Sequence, residues 1–328
     1  MISLIFVFLS LFSLPSAHAQ PELIRLGYVQ CQACHTSSYG SNLLNGYGKN
    51  VRTTLSAFQR ENETESTTQS WINASAFFRY LWIDSKSYKD QFLMQSDVGA
   101  RADLKKGIGV EVMAGLVPNQ VSSQTNAPDG VLGKHFVLRR AIADHQLTDH
   151  SKVVAGRDFF ARSINQSNHT SYLRSETRQG VTDTPSQVRY ETYDEKTIQH
   201  IGLFGPSGEE NREAREYGAF YRYEREFAPQ LAAGSLLTYG ATSAIRRISS
   251  ELFFRYAPNT KTGVITAYQH VNRHLKSSAT SFGQNVFTLE PFVVPFEWVM
   301  LSYEAEWLKR GDPFEKREFQ HALRLQTK

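Results

Sequence analysis

Apolar and polar side chains alternate along the chain from residue 71 onwards, with a period of two residues. This is the period of a β-strand, in which successive side chains point to opposite faces. Four stretches show it most clearly, and each predicts a strand with one apolar face. Their apolar phases are Ala74, Ala76, Phe78, Tyr80 and Trp82; Ile108, Val110, Val112, Ala114 and Leu116; Tyr217, Ala219, Tyr221 and Tyr223; and Val299, Leu301, Tyr303, Ala305 and Trp307.

The opposite phase of the same stretches carries polar and charged residues, such as Arg79, Arg222 and Glu304. Each stretch is about as long as the roughly 9–11 residues that a tilted transmembrane strand needs. Aromatic side chains on one face and charges on the other are typical of a membrane barrel with a lipid-facing exterior and a polar lumen. The sequence therefore predicts that the charged phase faces inward.

Ten further segments show weaker strand patterns: 90–104, 134–147, 151–160, 187–193, 196–204, 230–242, 247–257, 262–275, 282–290 and 317–326. With the four clear stretches they predict an all-β fold, a transmembrane antiparallel β-barrel of about 14 strands within a range of 12–16. The long insertion 160–186 is expected to enter the lumen or to cover a mouth of the barrel. A soluble β-sandwich or propeller stays open as an alternative, since the final residues Leu325-Gln326-Thr327-Lys328 lack the terminal aromatic that is usual in outer-membrane barrels.

Both cysteines of the chain lie in the pentapeptide Cys31-Gln32-Ala33-Cys34-His35. This C-x-x-C-H spacing is the attachment motif of a c-type haem. Two thiols add to the vinyl groups of the porphyrin, and the adjacent histidine binds the iron. We therefore expect one covalent haem c, with His35 as proximal ligand.

Three other interpretations of the cysteine pair stay open: a Cys31–Cys34 disulfide, a thioredoxin-like redox pair, or half of a zinc site. Zinc would require further cysteines, and the chain has only 2. A thioredoxin-like pair would require a surrounding β-α-β pattern, which the sequence does not show.

The N-terminal residues read as an export signal. A short apolar run from Ile2 to Leu14 is followed by Ala17-His18-Ala19, a small-residue cleavage pattern. The predicted organisation is a signal peptide (1–19), a haem-binding segment (20–60), an apolar-free linker (61–70) and a barrel (71–328). These signals together predict the outer membrane of a Gram-negative bacterium as the location.

A motif of the form C-x-A-C-H-T, then Asn45-Gly46-Tyr47-Gly48 and then a barrel, resembles the fused outer-membrane cytochrome-porins of iron-oxidising bacteria. The resemblance covers residues 26–50 by motif and the rest by architecture. It implies that a monohaem segment plugs a porin and that electrons enter from an external donor such as ferrous iron. It also implies thioether anchors at Cys31 and Cys34 and a proximal ligand at His35.

A six-coordinate iron would draw its distal ligand from the barrel, since no further methionine or histidine precedes Met94 in the mature chain. Met94 and Met300 are the candidates, with Met300 on the predicted lumen face. Five histidines are weaker candidates: His135, His145, His169, His270 and His274, the last two on one face of one strand. His321 shares its phase with apolar residues and is expected to face outward. An open distal position would instead suit peroxide or small-gas chemistry.

Dense mixed charges occur at Arg157-Asp158, Arg174-Ser175-Glu176 and residues 212–216. Simple salt-bridged walls are the favoured interpretation, and the alternatives are a lumen eyelet or a set of charges that tunes the haem potential. The net charge of +4 is modest and scattered, which argues against a nucleic-acid partner.

Three functions follow from these observations. The first is electron transfer between an extracellular donor or acceptor and periplasmic carriers such as soluble cytochromes, an oxidoreductase-like role rather than that of a classical enzyme. The second is a porin or transport barrel in outer-membrane lipid, with a haem-containing plug or sensor. The third is a periplasmic haem enzyme such as a peroxidase.

Overall fold

Fourteen strands follow one another in a single antiparallel sheet, each paired with its neighbours in the sequence. The computed structural model of the protein describes residues 72–84, 89–116, 136–161, 163–164, 172–175, 184–194, 196–206, 215–296, 299–311 and 315–327.

The strands are 7 to 17 residues long. The first seven are β1 (Ile72–Asp84), β2 (Lys89–Asp103), β3 (Ile108–Leu116), β4 (Phe136–Thr148), β5 (Ser151–Arg157), β6 (Ser186–Tyr193) and β7 (Thr197–Gly205). The second seven are β8 (Tyr217–Ala228), β9 (Leu231–Ala241), β10 (Ile245–Tyr256), β11 (Thr262–Leu275), β12 (Thr280–Phe296), β13 (Val299–Arg310) and β14 (Lys316–Thr327). One helical turn, α1 (Tyr172–Ser175), lies in the connection between β5 and β6.

Each of the fourteen predicted segments overlaps one of these strands, so the predicted all-β barrel is confirmed. Two strand ends differ from the prediction by three residues or more. β5 ends at Arg157, three residues early, because the chain leaves the sheet at Asp158. β12 continues beyond residue 290 to Phe296, with Pro291 accommodated opposite Val264. The alternative of a β-sandwich or propeller is wrong, because one continuous sheet contains all the strands.

The two faces of the sheet have opposite chemistry. The outward face is apolar and exposed, with Leu203, Leu252 and Leu323 each more than 60% accessible. The inward face contains buried charges, and Glu111, Arg222 and Glu304 are 1–2% exposed. The predicted phases of β3, β8 and β13 are confirmed. An apolar exterior around a charged interior is the arrangement that a β-barrel in lipid requires.

The connections differ between the two ends of the barrel. The three longest, residues 117–135, 158–185 and 206–216, lie at one end, which we call the long-loop end. The opposite end has short turns, including those between β4 and β5 and between β8 and β9. β1 starts and β14 finishes at this short-turn end. Short turns of outer-membrane barrels face the periplasm, so residues that precede β1 join the barrel on the periplasmic side.

Side-chain hydrogen bonds fix the short turns. Between β6 and β7, Asp194 accepts bonds from the Thr197 hydroxyl (2.5 Å) and the Lys196 amide (2.8 Å). These bonds hold the pKa of Asp194 below its ordinary value. Asn259 accepts from the amides of Lys261 and Thr262 in the same manner between β10 and β11. Such local bonds satisfy backbone groups that no strand neighbour reaches.

Among the residues that the structure describes, no helix has the length and apolar character needed to cross a membrane.

The outward apolar face predicts a penalty for charge that depends on depth. Leu252 lies in the middle of β10, whereas Leu147 lies next to the last residue of β4 at the short-turn end. We expect Leu252→Arg to lower the free energy of unfolding by roughly 2–4 kcal/mol, and Leu147→Arg by about 0–1 kcal/mol. Urea unfolding in phospholipid vesicles measures both values. Equal losses for the two variants would contradict the placement of β10 across the bilayer.

Candidate functional site

We call the connection between β5 and β6, residues 158–185, the inward loop. Its described residues, 158–161, 163–164, 172–175 and 184–185, lie inside the barrel or against its inner wall. Phe160 packs edge-on against Phe204, with 4.7 Å between ring centroids. Ser163 donates its hydroxyl proton to Glu251 on β10, and Arg255 donates to the Ser163 carbonyl at 3.0 Å. The prediction that this segment enters the lumen is confirmed.

Backbone geometry explains where the chain turns inward. Gly156, the penultimate residue of β5, has a φ of +130°, a conformation that favours glycine. A Cβ atom there would lie 2.2 Å from the Ala141 carbonyl oxygen on β4. Only glycine allows this close approach, and two residues later the chain enters the lumen with Asp158.

A continuous series of ion pairs, here called the charge chain, lines the lumen from β2 to β7. Arg140 pairs with Glu111 at 2.6 Å and with Asp158 at 2.7 Å. Arg189 pairs with the other oxygen of Asp158 at 2.7 Å and with Glu191 at 2.6 Å. All five side chains are essentially fully buried. The inward loop therefore attaches to the wall through a carboxylate between two guanidinium groups.

The charge chain continues at both ends. Arg101 donates to both oxygens of Asp144, at 2.6 and 3.1 Å, and lies 3.8 Å from Glu111. At the other end Lys152 lies 3.3 Å from Glu191, and the fully buried His200 lies 3.9 Å from the same carboxylate. Buried charges persist only when they are paired, and alternating signs along six strands meet that requirement.

A second group of arginines lies on β8 and β10, beside aromatic rings. Arg255 pairs with Glu224 at 2.5 Å, and Arg247 pairs with Glu216 at 3.1 Å. The guanidinium groups of Arg222 and Arg255 lie 5.4 and 5.3 Å from the centroid of Phe253. Ring faces attract such cations. The predicted salt-bridged walls are confirmed here for Glu216 and in the charge chain for Asp158.

Glutamates are concentrated on the inward face of β12 and β13. Glu306 accepts bonds from the Tyr172 amide in α1 (2.8 Å), the Thr288 hydroxyl (2.8 Å) and the Gln320 amide group (2.5 Å). The second part of the inward loop is therefore attached to the wall opposite the charge chain. Two contacts therefore attach the loop to the wall. Asp158 of the loop pairs with Arg140 and Arg189, and the Tyr172 amide of the loop donates to Glu306 of β13.

Glycines on the inward face provide room for these charges. A Cβ atom at Gly109 would lie 2.1 Å from Arg101 Nη2, and one at Gly240 would lie 1.8 Å from Glu216 Oε1. Real Cβ atoms do not approach other atoms so closely, so the ion pairs occupy space that a side chain would fill.

Met300 lies on the inward face of β13 as predicted, but it is only 1% exposed. It belongs to an apolar cluster with Phe253 and Phe292 from the wall and with Ile164 and Leu173 from the inward loop. Because Met300 is buried within this cluster, access to its sulfur would require residues of the cluster to move. Met94 lies in β2, where the pairing with β1 shifts register.

The predicted histidines divide by location. His135 and His169 lie outside the described residues, as do Cys31, Cys34, His35 and the whole of residues 1–71. His145 is exposed on β4, on the face opposite the buried Asp144. His270 and His274 do share one face of β11, but it is the outward face, since Gln269 and Val271 point inward. Side chains on the outward face point away from the lumen, so His270 and His274 are poorly placed to bind a haem iron at the lumen mouth.

His321 faces outward as predicted, stacked against Phe319 at 5.7 Å. The pattern analysis overlooked His200, the described histidine that lies buried on the lumen wall. The sequence did contain a signal for it. His200 shares a strand phase with Ile198 and Gly202, opposite the outward Gln199 and Ile201, and this phase predicts an inward position. Within the described part of the chain, no group of three or more histidine, cysteine or acidic residues is arranged to hold a metal ion.

No protein-family model matches this sequence, and no curated protein matches it significantly. Solved structures of outer-membrane barrels do match. A loop L8 deletion mutant of OmpT, an outer membrane protein of Vibrio cholerae, aligns with a TM-score of 0.56 and 11% identity, over 78% of this chain and 88% of that chain. The anion-selective porin from Comamonas acidovorans aligns with a TM-score of 0.52 and 13% identity, over 77% of this chain and 83% of that chain. Salmonella typhi OmpF aligns with a TM-score of 0.53 and 9% identity, over 77% of this chain and 84% of that chain.

At these identities the likeness concerns the fold. The fold is therefore that of an outer-membrane β-barrel and is similar to that of porins, and the protein is located in the outer membrane of a Gram-negative bacterium.

The charge chain predicts that replacing one carboxylate oxygen of Asp158 by an amide nitrogen strongly destabilises the protein. Asp158→Asn removes the carboxylate shared by Arg140 and Arg189 and leaves two buried cations underpaired. We expect a loss of roughly 3–5 kcal/mol in the free energy of unfolding and faster proteolysis of the inward loop. Chemical unfolding and limited trypsin digestion measure these effects.

Asp103→Asn is the matched control, because Asp103 pairs with Arg101 at 2.8 Å but is 53% exposed. That variant should lose no more than about 1 kcal/mol. A similar loss for both variants would show that burial of the Asp158 pairs does not matter.

Proposed function

We propose that this porin-type barrel carries one covalent haem c on its periplasmic side and transfers electrons between an extracellular donor or acceptor and periplasmic carriers such as soluble cytochromes. The observation that carries the proposal is the Cys31-x-x-Cys34-His35 motif, connected by a short linker to β1. Two thiols and an imidazole at this spacing fit haem c and leave no cysteine for another site. The haem would supply one-electron chemistry.

The position of β1 supports a periplasmic placement of the haem segment. Because β1 starts at the short-turn end, residues 20–70 approach the barrel from the side where export delivers the chain and where soluble carriers diffuse. Residues 61–70 contain no apolar side chain, as expected for a linker. The barrel would then hold the haem segment at the membrane surface and allow it to reach the lumen mouth.

The interior of the barrel bears on both candidate functions. The inward loop contacts the wall at the charge chain and at Glu306, so its described residues occupy part of the lumen. A loop in the lumen is compatible with electron transfer and with solute transport. The alternative, a porin or transport barrel with a haem-containing plug or sensor, is favoured by the fold, since barrels of this type include an anion-selective porin.

Met94 and Met300 are the proposed distal ligands of the haem iron. Met300 would require Ile164 and Leu173 of the inward loop to withdraw, so its ligation would couple haem docking to an opening of the lumen. Met94 lies in β2, at the register shift between β2 and β1.

Covalent attachment gives the first test. In cells that express a c-type haem maturation system, the protein should keep its haem through denaturing electrophoresis, and Cys31→Ser/Cys34→Ser should lose it. Both proteins should keep the heat-modifiable electrophoretic mobility of a folded barrel, because both cysteines precede β1 in the sequence. An unmodified wild-type protein would remove the cytochrome proposal and leave the transport barrel.

Redox titration of the purified holoprotein then tests electron transfer. We expect sharp low-spin α and β bands that cycle reversibly with ferrous iron and with a soluble cytochrome. His35→Ala should abolish them, and substitution of the true distal methionine by leucine should remove the methionine-to-iron charge-transfer band. A stable high-spin spectrum that binds cyanide would favour an open distal position and peroxidase-like chemistry.

A further inference from the structure

Four aromatic residues form a continuous row on the outward face near the long-loop end. Tyr268, Phe287, Trp307 and Phe319 are direct register partners on β11, β12, β13 and β14. The rings of Phe287 and Trp307 are 5.4 Å apart, and those of Trp307 and Phe319 are 5.1 Å apart. Aromatic girdles of this kind mark the interface between hydrocarbon and headgroups. This aromatic row therefore gives the level of the outer headgroup region.

The next outward row towards the long-loop end is polar. Its members, again direct register partners, are His270, Asn285, Lys309 and Arg317. Two residues of strand separate the rows, about 7 Å along the strand. His270 and Tyr268 both bond to the Asn285 side-chain oxygen, at 2.9 and 2.7 Å. The row therefore passes from a neutral polar part to two adjacent cations.

The two cations, here called the rim pair, are Lys309 and Arg317. They lie directly opposite each other on the outward face of neighbouring strands, and both are exposed. Like charges in this arrangement destabilise a sheet. Glu315 lies 3.9 Å from Arg317, but both side chains are more than 60% exposed, so this contact compensates little. An anion between the two cations would relieve the repulsion.

The neighbouring hairpins hold this part of the rim in place. The Gly311 amide donates to the Gly283 carbonyl at 2.8 Å, which joins the β13–β14 turn to β12. Lys276 donates through its backbone amide to the Ala244 carbonyl at 2.9 Å and through its ammonium to the Thr242 carbonyl at 2.5 Å. Arg246 and His274, register partners two residues from these turns, also face outward. The outward charges on the strands β10–β14 that the structure describes are thus cationic at this end.

We propose that the rim pair binds a phosphate group of the phosphorylated glycolipid of the outer leaflet, lipopolysaccharide. The long-loop end faces the cell exterior, and the rim pair lies just beyond the aromatic row, at headgroup depth. Charge-assisted bonds from ammonium and guanidinium groups are the strong bonds that phosphate accepts. The acyl chains of the same lipid would contact the aromatic row and the apolar face below it. This proposal is independent of the haem.

The test uses the full-length barrel in detergent, titrated with bisphosphorylated lipid A and, for comparison, with monophosphoryl lipid A and phosphatidylglycerol. Native mass spectrometry reports binding. We expect the wild-type protein to prefer bisphosphorylated lipid A. Lys309→Gln/Arg317→Gln should weaken that binding roughly tenfold or more, because two charge-assisted contacts are lost.

Arg310→Gln/Lys316→Gln is the matched control. It removes two positive charges from the same hairpin at the adjacent register pair, which points to the opposite face. Heat-modifiable mobility verifies the fold of both variants. Equal binding by the rim-pair variant and the wild type, or an equal loss in the control, would overturn the proposal. Equal affinity for phosphatidylglycerol would overturn the assignment to the glycolipid.

Discussion

Hydrocarbon offers no hydrogen-bonding partner to a peptide group, and the rest of this structure depends on that constraint. Consecutive strands satisfy one another's backbone groups from β1 to β14. Once the backbone is extended and paired, every second side chain must face lipid and every other one the interior. The outer phase therefore became apolar, and charges such as Glu111 and Arg140 could lie only inside.

The charged interior in turn determines what else can enter it. A loop that crosses a polar lumen must match its charges, and the inward loop does so at both sides. Asp158 fits between two arginines, and the amide of Tyr172 meets Glu306. Ile164, which lies between these anchors, and Leu173, which follows the second one, bring apolar surface into the barrel. The loop and the wall consequently share a core that the strands alone would lack.

That shared core also explains which features the sequence pattern predicted and which it did not. The period of two predicted the strands, since lipid contact imposes apolar alternation on most of them. It did not orient β11, because both phases of this strand mix polar and apolar residues. Val271 faces inward, on the side where β11 also contributes Ile265 and Ala267 to the core shared with the loop, and His270 is left outward beside Asn285. The partners of each lumen charge depend on strand register, which alternation alone does not contain.

The inward-facing glycines have a further consequence for how such a barrel could diverge. Gly109 and Gly240 leave room that Arg101 and Glu216 occupy, so these positions control the arrangement of charge without carrying any. A single methyl group at either site would push an ion pair out of its place and redistribute the electric field across the lumen. The distribution of charge in this lumen can therefore change through side-chain volume, at positions that carry no charge themselves.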